Sequence, residues 1–241
     1  GRLPASEECE RGILMRDLRV GVLVPSSNTV VENDFAANPD PRYSVHTARM
    51  FLAETTAEME HQMLSEHAPK AARDLGSANC DVLVFACTSA GALIGVDGEE
   101  RLIAELSELS GAPVLSTNAA VAQKLRALDV RRVAVFTAYV DELNVQIRKT
   151  LEDRGVEVTE IHGMGITDNF AIADVEPEQI AKFVRSSLTG TDHEAIFISC
   201  TNLPAIGAIE TLAQEFNIPV ITSNSATIDA VNEFIHQKVG K

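Results

Sequence analysis

Basic residues are scarce in this chain of 241 residues: 20 Lys and Arg stand against 35 Asp and Glu, for a formal charge of −15. Nucleic acid needs clustered Lys and Arg to displace its condensed counterions, so that class of partner is excluded. An anionic small molecule remains compatible, provided that local amide dipoles capture it against the overall field. Long apolar runs are also missing. None reaches the roughly 18 residues of a membrane span, and no succession of charged, apolar and small residues marks a secretory signal. The expected setting is soluble and cytoplasmic, with no membrane partner. The four cysteines (Cys9, Cys80, Cys87, Cys200) have no CxxC spacing, which argues for reduced thiols rather than a disulfide framework. Six histidines (His46, His61, His67, His162, His193, His236) make neither HExxH nor a Cys/His ligand pattern, so no metal is expected. There is no GxGxxG loop and no Walker sequence, and nucleotide binding lacks support.

What the chain does have is a message stated twice. The segment DVLVFACTSAGALIG at 81–95 is echoed by EAIFISCTNLPAIG at 194–207. Arg19-Val-Gly-Val returns as Arg132-Val-Ala-Val, and Ala112-Pro-Val-Leu-Ser-Thr-Asn118 as Ile218-Pro-Val-Ile-Thr-Ser-Asn224. Cys87 follows Arg19 at the same interval at which Cys200 follows Arg132. A duplicated α/β unit with matching thiols suggests a site between two lobes, with one sulfur facing each side of a substrate.

Strands are expected over 19–24, 43–49, 82–86, 114–116, 133–137, 156–162, 195–199 and 220–222. Several are unbroken apolar runs, the mark of parallel strands covered on both faces. Helices are expected over 55–75, interrupted near Pro69, over 141–154 from a capping Asp141, and over 178–188 behind Pro177. Such alternation implies an α/β fold of two pseudo-symmetric lobes, each a four-stranded parallel sheet flanked by helices, with the active site in the cleft between them. The expected divisions are a flexible N-terminal extension at 1–17, a first lobe at 18–117, a second at 118–224, and a C-terminal helix at 225–241 packing back on the first lobe.

In open parallel sheets, ligands sit beyond the carboxyl ends of the strands. The polar clusters there begin at Pro25, Cys87, Ser116, Thr137, Cys200 and Thr222; for any one of them the alternative is a helix cap. Cys80, which precedes its strand, reads as a small buried hydrophobe. Cys87 and Cys200 each stand where a helix is expected to begin, so following amides and the positive helix terminus can favour a thiolate. Thiols with no sequence-coded base, metal or nucleotide loop nearby point to cofactor-free chemistry, with sulfur as nucleophile, acid or base. The acidic run 54–66 reads as a solvated helix face with a methionine-lined inner side. His162 and His193 read as structural, partly exposed residues.

From about Arg19 to Ile235 the chain resembles the aspartate/glutamate racemase superfamily, and within it the maleate cis-trans isomerase and arylmalonate decarboxylase branch. The resemblance rests on Val24-Pro-Ser-Ser-Asn28-Thr29 with Glu32, on Cys87, on Tyr139 within 137–144, on Asn169 within 165–170, and on Cys200-Thr-Asn202. It implies a first cysteine, Cys87, as nucleophile and a second, Cys200, as proton donor. Asn28, Tyr139 and Asn169 then correspond to substrate ligands, and Thr88, Ser89, Thr201 and Asn202 to donors beside the sulfurs. Arylmalonate decarboxylases keep only the second cysteine, so Cys87 speaks for an isomerase. Thr88-Ser89-Ala90 departs from the more apolar residues that follow the first cysteine in isomerases.

The implied reaction is a cofactor-independent conversion of maleate to fumarate through a covalent Cys87 adduct, on a small dicarboxylate substrate and with room for a homo-oligomer. Two alternatives stand beside it. One is a two-thiol amino-acid racemase or epimerase, of the aspartate/glutamate or ectoine-utilisation type, or an arylmalonate-decarboxylase-like enzyme. The other is a small-acid sensor that binds without turnover.

Overall fold

A computed structural model of the chain describes residues 17–239; Cys9 and most of the expected N-terminal extension lie outside them. Two four-stranded sheets carry the molecule, with every pairing parallel. The first comprises β1 (Leu18–Pro25), β2 (Tyr43–Met50), β3 (Val82–Phe85) and β4 (Val114–Ser116), in the order β2-β1-β3-β4. The second comprises β5 (Arg132–Thr137), β6 (Glu157–Gly163), β7 (Ala195–Ser199) and β8 (Val220–Thr222), in the order β6-β5-β7-β8. The sequence repeat is thus a repeat of topology. The central strands β3 (VLVF) and β7 (AIFIS) are buried at every position, because helices cover both faces. The edge strands β2 and β6 mix polar with apolar residues and are half-buried along most of their length.

Between β2 and β3 the chain forms a helix at Ala57–Gln62, a π turn at Met63–His67 and a second helix at Ala68–Ser77, with Pro69 in its first turn. Proline has no N–H to give to the preceding turn, and the wider turn absorbs that loss. The helix at 141 differs from expectation in its cap. Asp141 is its first residue, Val140 holds the cap position, and no side chain caps it.

The two helices that close the lobes cross over. Val121 and Leu125, on the helix Thr117–Ala127 after β4, join the core of the second sheet. Ile228, Val231 and Ile235, on the final helix Ser223–Val239, pack with Val20, Val22, Val82 and Val84 of the first. Where these helices meet, Thr227 Oγ1 donates to Thr117 Oγ1 at 3.0 Å and Lys124 pairs with Asp229 at 2.7 Å.

A buried ion pair adds to the joint. The long helix Thr88–Ser110 breaks at Gly95, whose φ of 69° is left-handed and suits glycine. Beyond the break, Glu99 is almost wholly buried and accepts from Arg154 Nη2 at 2.5 Å and from Asn118 Nδ2 at 3.0 Å. Burial still raises the Glu99 pKa, against the pull of Arg154 and its hydrogen bonds. Arg154→Leu should therefore cost about 3–5 kcal/mol in urea unfolding at neutral pH, by leaving a buried carboxylate unpaired. A carboxyl whose folded pKa lies above its unfolded one weakens the fold as pH rises from the unfolded pKa towards the folded one. The deficit of Arg154→Leu should hence shrink on acidification; one that grew would contradict this account.

Candidate active site

The carboxyl ends of both sheets face one another, and the turns that follow their strands enclose a single small cavity. Cys87 ends the β3 segment in extended backbone and caps the helix Thr88–Ser110. Cys200 ends β7, but no helix begins there. Its turn runs through 201–205, a 3-10 turn follows at Ile206–Ala208, and the helix opens only at Ile209. Pro204 explains the delay, since it disfavours helical backbone at Leu203 and offers no N–H. The Cys200 sulfur instead accepts from the amide of Asn202 at 3.4 Å. The two lobes therefore present their thiols through different backbones.

All nine residues singled out in the sequence, Asn28, Cys87, Thr88, Ser89, Tyr139, Asn169, Cys200, Thr201 and Asn202, line this cavity, together with Pro25, Leu52 and Thr55. Its volume is about 10 Å³, roughly the room of one water, so a four-carbon substrate is admitted only when the walls part. No cation lines it. The clusters at Ser116–Asn118 and Thr222–Asn224 do not reach it and support it instead. Ser116 caps the next helix, and Ser223 Oγ accepts from the Cys200 amide and from Thr88 Oγ1, both at 3.1 Å.

The amide side chains are held by hydrogen bonds to neighbouring residues. Asn28 Oδ1 accepts from the amides of Val30 and Val31, at 3.0 and 3.1 Å, which turns its Nδ2 towards the cleft, where it donates to Thr201 Oγ1 at 3.1 Å. Asn202 accepts from the Thr29 amide at 3.0 Å and donates to the Asn169 carbonyl at 2.6 Å. Asn169 Nδ2 donates to Ser27 Oγ at 2.6 Å. The Tyr139 hydroxyl favours the anionic form of the Cys200 sulfur.

The expectation of a ready thiolate is not met. Burial pushes the Cys87 thiol up to about 12, with the charge of Glu60 adding to it and the Ala90 amide opposing. Burial likewise raises Cys200, against its bonds from Tyr139 and the turn amides. A helix terminus stabilises a charge only modestly, and for a buried sulfur desolvation of the anion prevails.

Glu60 is the residue that the sequence reading misplaced. It sits in the acidic run expected to be a solvated face, yet it is 1 % exposed, and its carboxylate accepts a hydrogen bond from Ser89 Oγ. The signal was present in the helical spacing: Glu60, Met63, Leu64, Ala68, Ala71, Ala72 and Leu75 form one buried stripe. Thr55 Oγ1, also on the cavity wall, is buried without a partner. Cys80 packs in the first lobe's core, and His162 and His193 stand beside Glu160, away from the cavity.

Two like lobes that each present one thiol to an enclosed cavity define a member of the aspartate/glutamate racemase superfamily. The chain belongs to the arylmalonate decarboxylase family, whose model matches residues 20–239. It is 30% identical over 219 residues to a maleate isomerase of Nocardia farcinica, covering 86% of each chain. Its structure is similar to that of a cysteine-to-alanine variant of the Pseudomonas putida S16 maleate isomerase with maleate, at a TM-score of 0.84 and 27% identity over 89% of this chain and 90% of that one. It is also similar to a cysteine-to-serine mutant of Nocardia farcinica maleate cis-trans isomerase carrying a covalently bound succinylcysteine intermediate. There the TM-score is 0.82, with 26% identity over 89% of this chain and 91% of that one.

The resting acidity of Cys87 can be checked directly. Thiolate absorbance, taken as the difference between wild type and Cys87→Ala, should show no ionisation between about pH 6 and 9. A transition near neutrality would contradict the buried, protonated thiol.

Proposed function

We propose that this chain is a maleate cis-trans isomerase that works through a covalent adduct on Cys87, with Cys200 as its proton donor. The observation that carries the reading is the meeting of two free thiols, one from each lobe, across one closed cavity lined by neutral donors. Rotation about the C2–C3 double bond of maleate is blocked. Addition of the Cys87 sulfur to C2 moves the π electron pair onto C3 and its carboxylate as an enediolate, and C2–C3 becomes a single bond. Cys200 delivers a proton to C3, giving a succinyl thioether of the kind named for the Nocardia enzyme. After rotation Cys200 takes a proton back, the C–S bond breaks, and fumarate leaves.

The ligands suit that charge. Asn28 and Asn169 bring amide donors, and Tyr139 a hydroxyl, to a buried site, where preorganised dipoles stabilise an extra negative charge without reorganising. Neutral donors hold the dianion without the permanent charge pairing that would retain both isomers equally. Nucleophile and acid both come from the chain itself, so the reaction as written calls on no cofactor. It needs reduced thiols, which suits a cytoplasmic setting.

Cys87→Ser should abolish turnover while leaving the fold intact, because an alcohol cannot supply the anion. Cys200→Ser incubated with maleate should accumulate an adduct of one maleate, located by peptide mass spectrometry on the peptide that contains Cys87. Full activity in either variant, or an adduct on another peptide, would refute the assignment. Asn28→Ala and Asn169→Ala should each lower kcat/KM by about 1–3 kcal/mol, the worth of a donor to a charged group. Unchanged kinetics with lost stability would reduce both to structural amides.

A further inference from the structure

We propose that Glu60 acts through Ser89 as the proton acceptor that frees the Cys87 sulfur, the three side chains forming a buried relay from the helix Ala57–Gln62 to the nucleophile. The inference rests on the isomerase reading for its substrate, but not for its geometry. Ser89 Oγ lies 3.7 Å from Cys87 Sγ, within reach of a sulfur hydrogen bond, and donates its one proton to Glu60 Oε1. A hydroxyl that donates to a carboxylate turns its lone pairs the other way, so the Cys87 S–H is the donor of the first bond. The order is thiol, hydroxyl, carboxylate. Within this relay Ser89 has no proton left to give a substrate.

The proton movement balances. As the C–S bond forms, the Cys87 proton passes to Ser89 Oγ, the Ser89 proton passes to Glu60, and the sulfur's electron pair becomes the bond to C2. The negative charge leaves Glu60 and reappears on the enediolate, so the cavity's total charge is constant. Elimination runs the same path backwards. This answers the difficulty that the resting site poses: a thiol held protonated by burial attacks well only if a base takes its proton during the attack. Burial holds Glu60 at about 7, against the hydrogen bond from Ser89, and a general base serves best near the operating pH.

The groups that surround Glu60 leave it the acceptor. The cavity residues whose charge it influences, Cys87, Cys200 and Tyr139, all have raised pKa values and are neutral at pH 7. On the helix that begins at Thr88, the other buried carboxylate, Glu99, is bound to Arg154. On Glu60's own segment, Glu58, His61 and Glu66 are exposed. No cation is paired with Glu60 in the described residues.

The test uses the full chain and its Glu60→Gln, Glu60→Asp and Ser89→Ala variants, with two readouts across about pH 5.5 to 9. One is kcat/KM for maleate; the other is alkylation of Cys87 by maleimide in the absence of substrate. In the wild type both should rise as Glu60 ionises near neutrality and then level. Glu60→Gln and Ser89→Ala should lose that step and fall by about 10²–10⁴ at pH 7.5, the usual worth of a general base, with KM and thermal stability little changed. Glu60→Asp should recover part of the rate with the step in place. If Glu60→Gln stays within threefold of wild type and keeps its pH profiles, the relay is wrong and the isomerase reading is untouched. If wild type leaves maleate unchanged while alkylation follows Glu60 as described, the relay stands and the substrate is wrong.

Discussion

The meeting of the two cysteine turns depends on a buried set of hydroxyls. Ser223 accepts from the Cys200 amide and from Thr88, and Thr201 donates to the carbonyl of Ala86 while accepting from Asn28. Each of these residues follows a strand of one lobe, and together they tie the turn after β3 to the turn after β7. Because all of them are buried in the joint, removing any one would leave its partners unsatisfied, at about 1–3 kcal/mol for each. The reciprocal crossing of the helices Thr117–Ala127 and Ser223–Val239 supplies the apolar part of the same joint. The sulfurs are thus placed by the interface between the sheets, and their separation is a property of the whole fold.

The same closure determines the chemistry. Desolvation makes both thiols weak acids and lifts the Glu60 pKa to about 7, so the resting sulfurs carry no charge. The charge needed at the sulfur has to arise during the reaction, where dry surroundings make each fixed donor worth more than in water. In a chain of net charge −15, oriented amides do the work that a cation would otherwise do.

Much of this was legible in the sequence, for identifiable reasons. Unbroken apolar runs at 82–85 and 195–198 read as covered parallel strands, and the repeated flanks of Cys87 and Cys200 placed both thiols at strand ends. The ends of strands being where open sheets bind, the polar residues after them led to the cavity. What was not legible depends on details that composition hides. Pro204 diverts the chain after Cys200 into a turn, although the aligned position after Cys87 opens a helix. Glu60 was concealed by its acidic neighbours, because charge suggests solvent while only the stripe through Met63, Ala68 and Ala72 reveals an inward position. Thr55 and Leu52 come from the connection after β2, whose path no local pattern predicts. The thiol acidities were misjudged because burial, a property of the assembled lobes, outweighs the local helix terminus.

The central claim is that two facing thiols in a closed, neutral cavity turn a double bond into a single bond and back. A proton spectrum of maleate incubated with the enzyme in deuterated water tests it most directly. The account predicts that the vinyl signal of maleate is replaced by that of fumarate. Maleate left intact while α-deuterium enters an amino or hydroxy acid would contradict it, and would make the same two thiols the acid and base of a racemase.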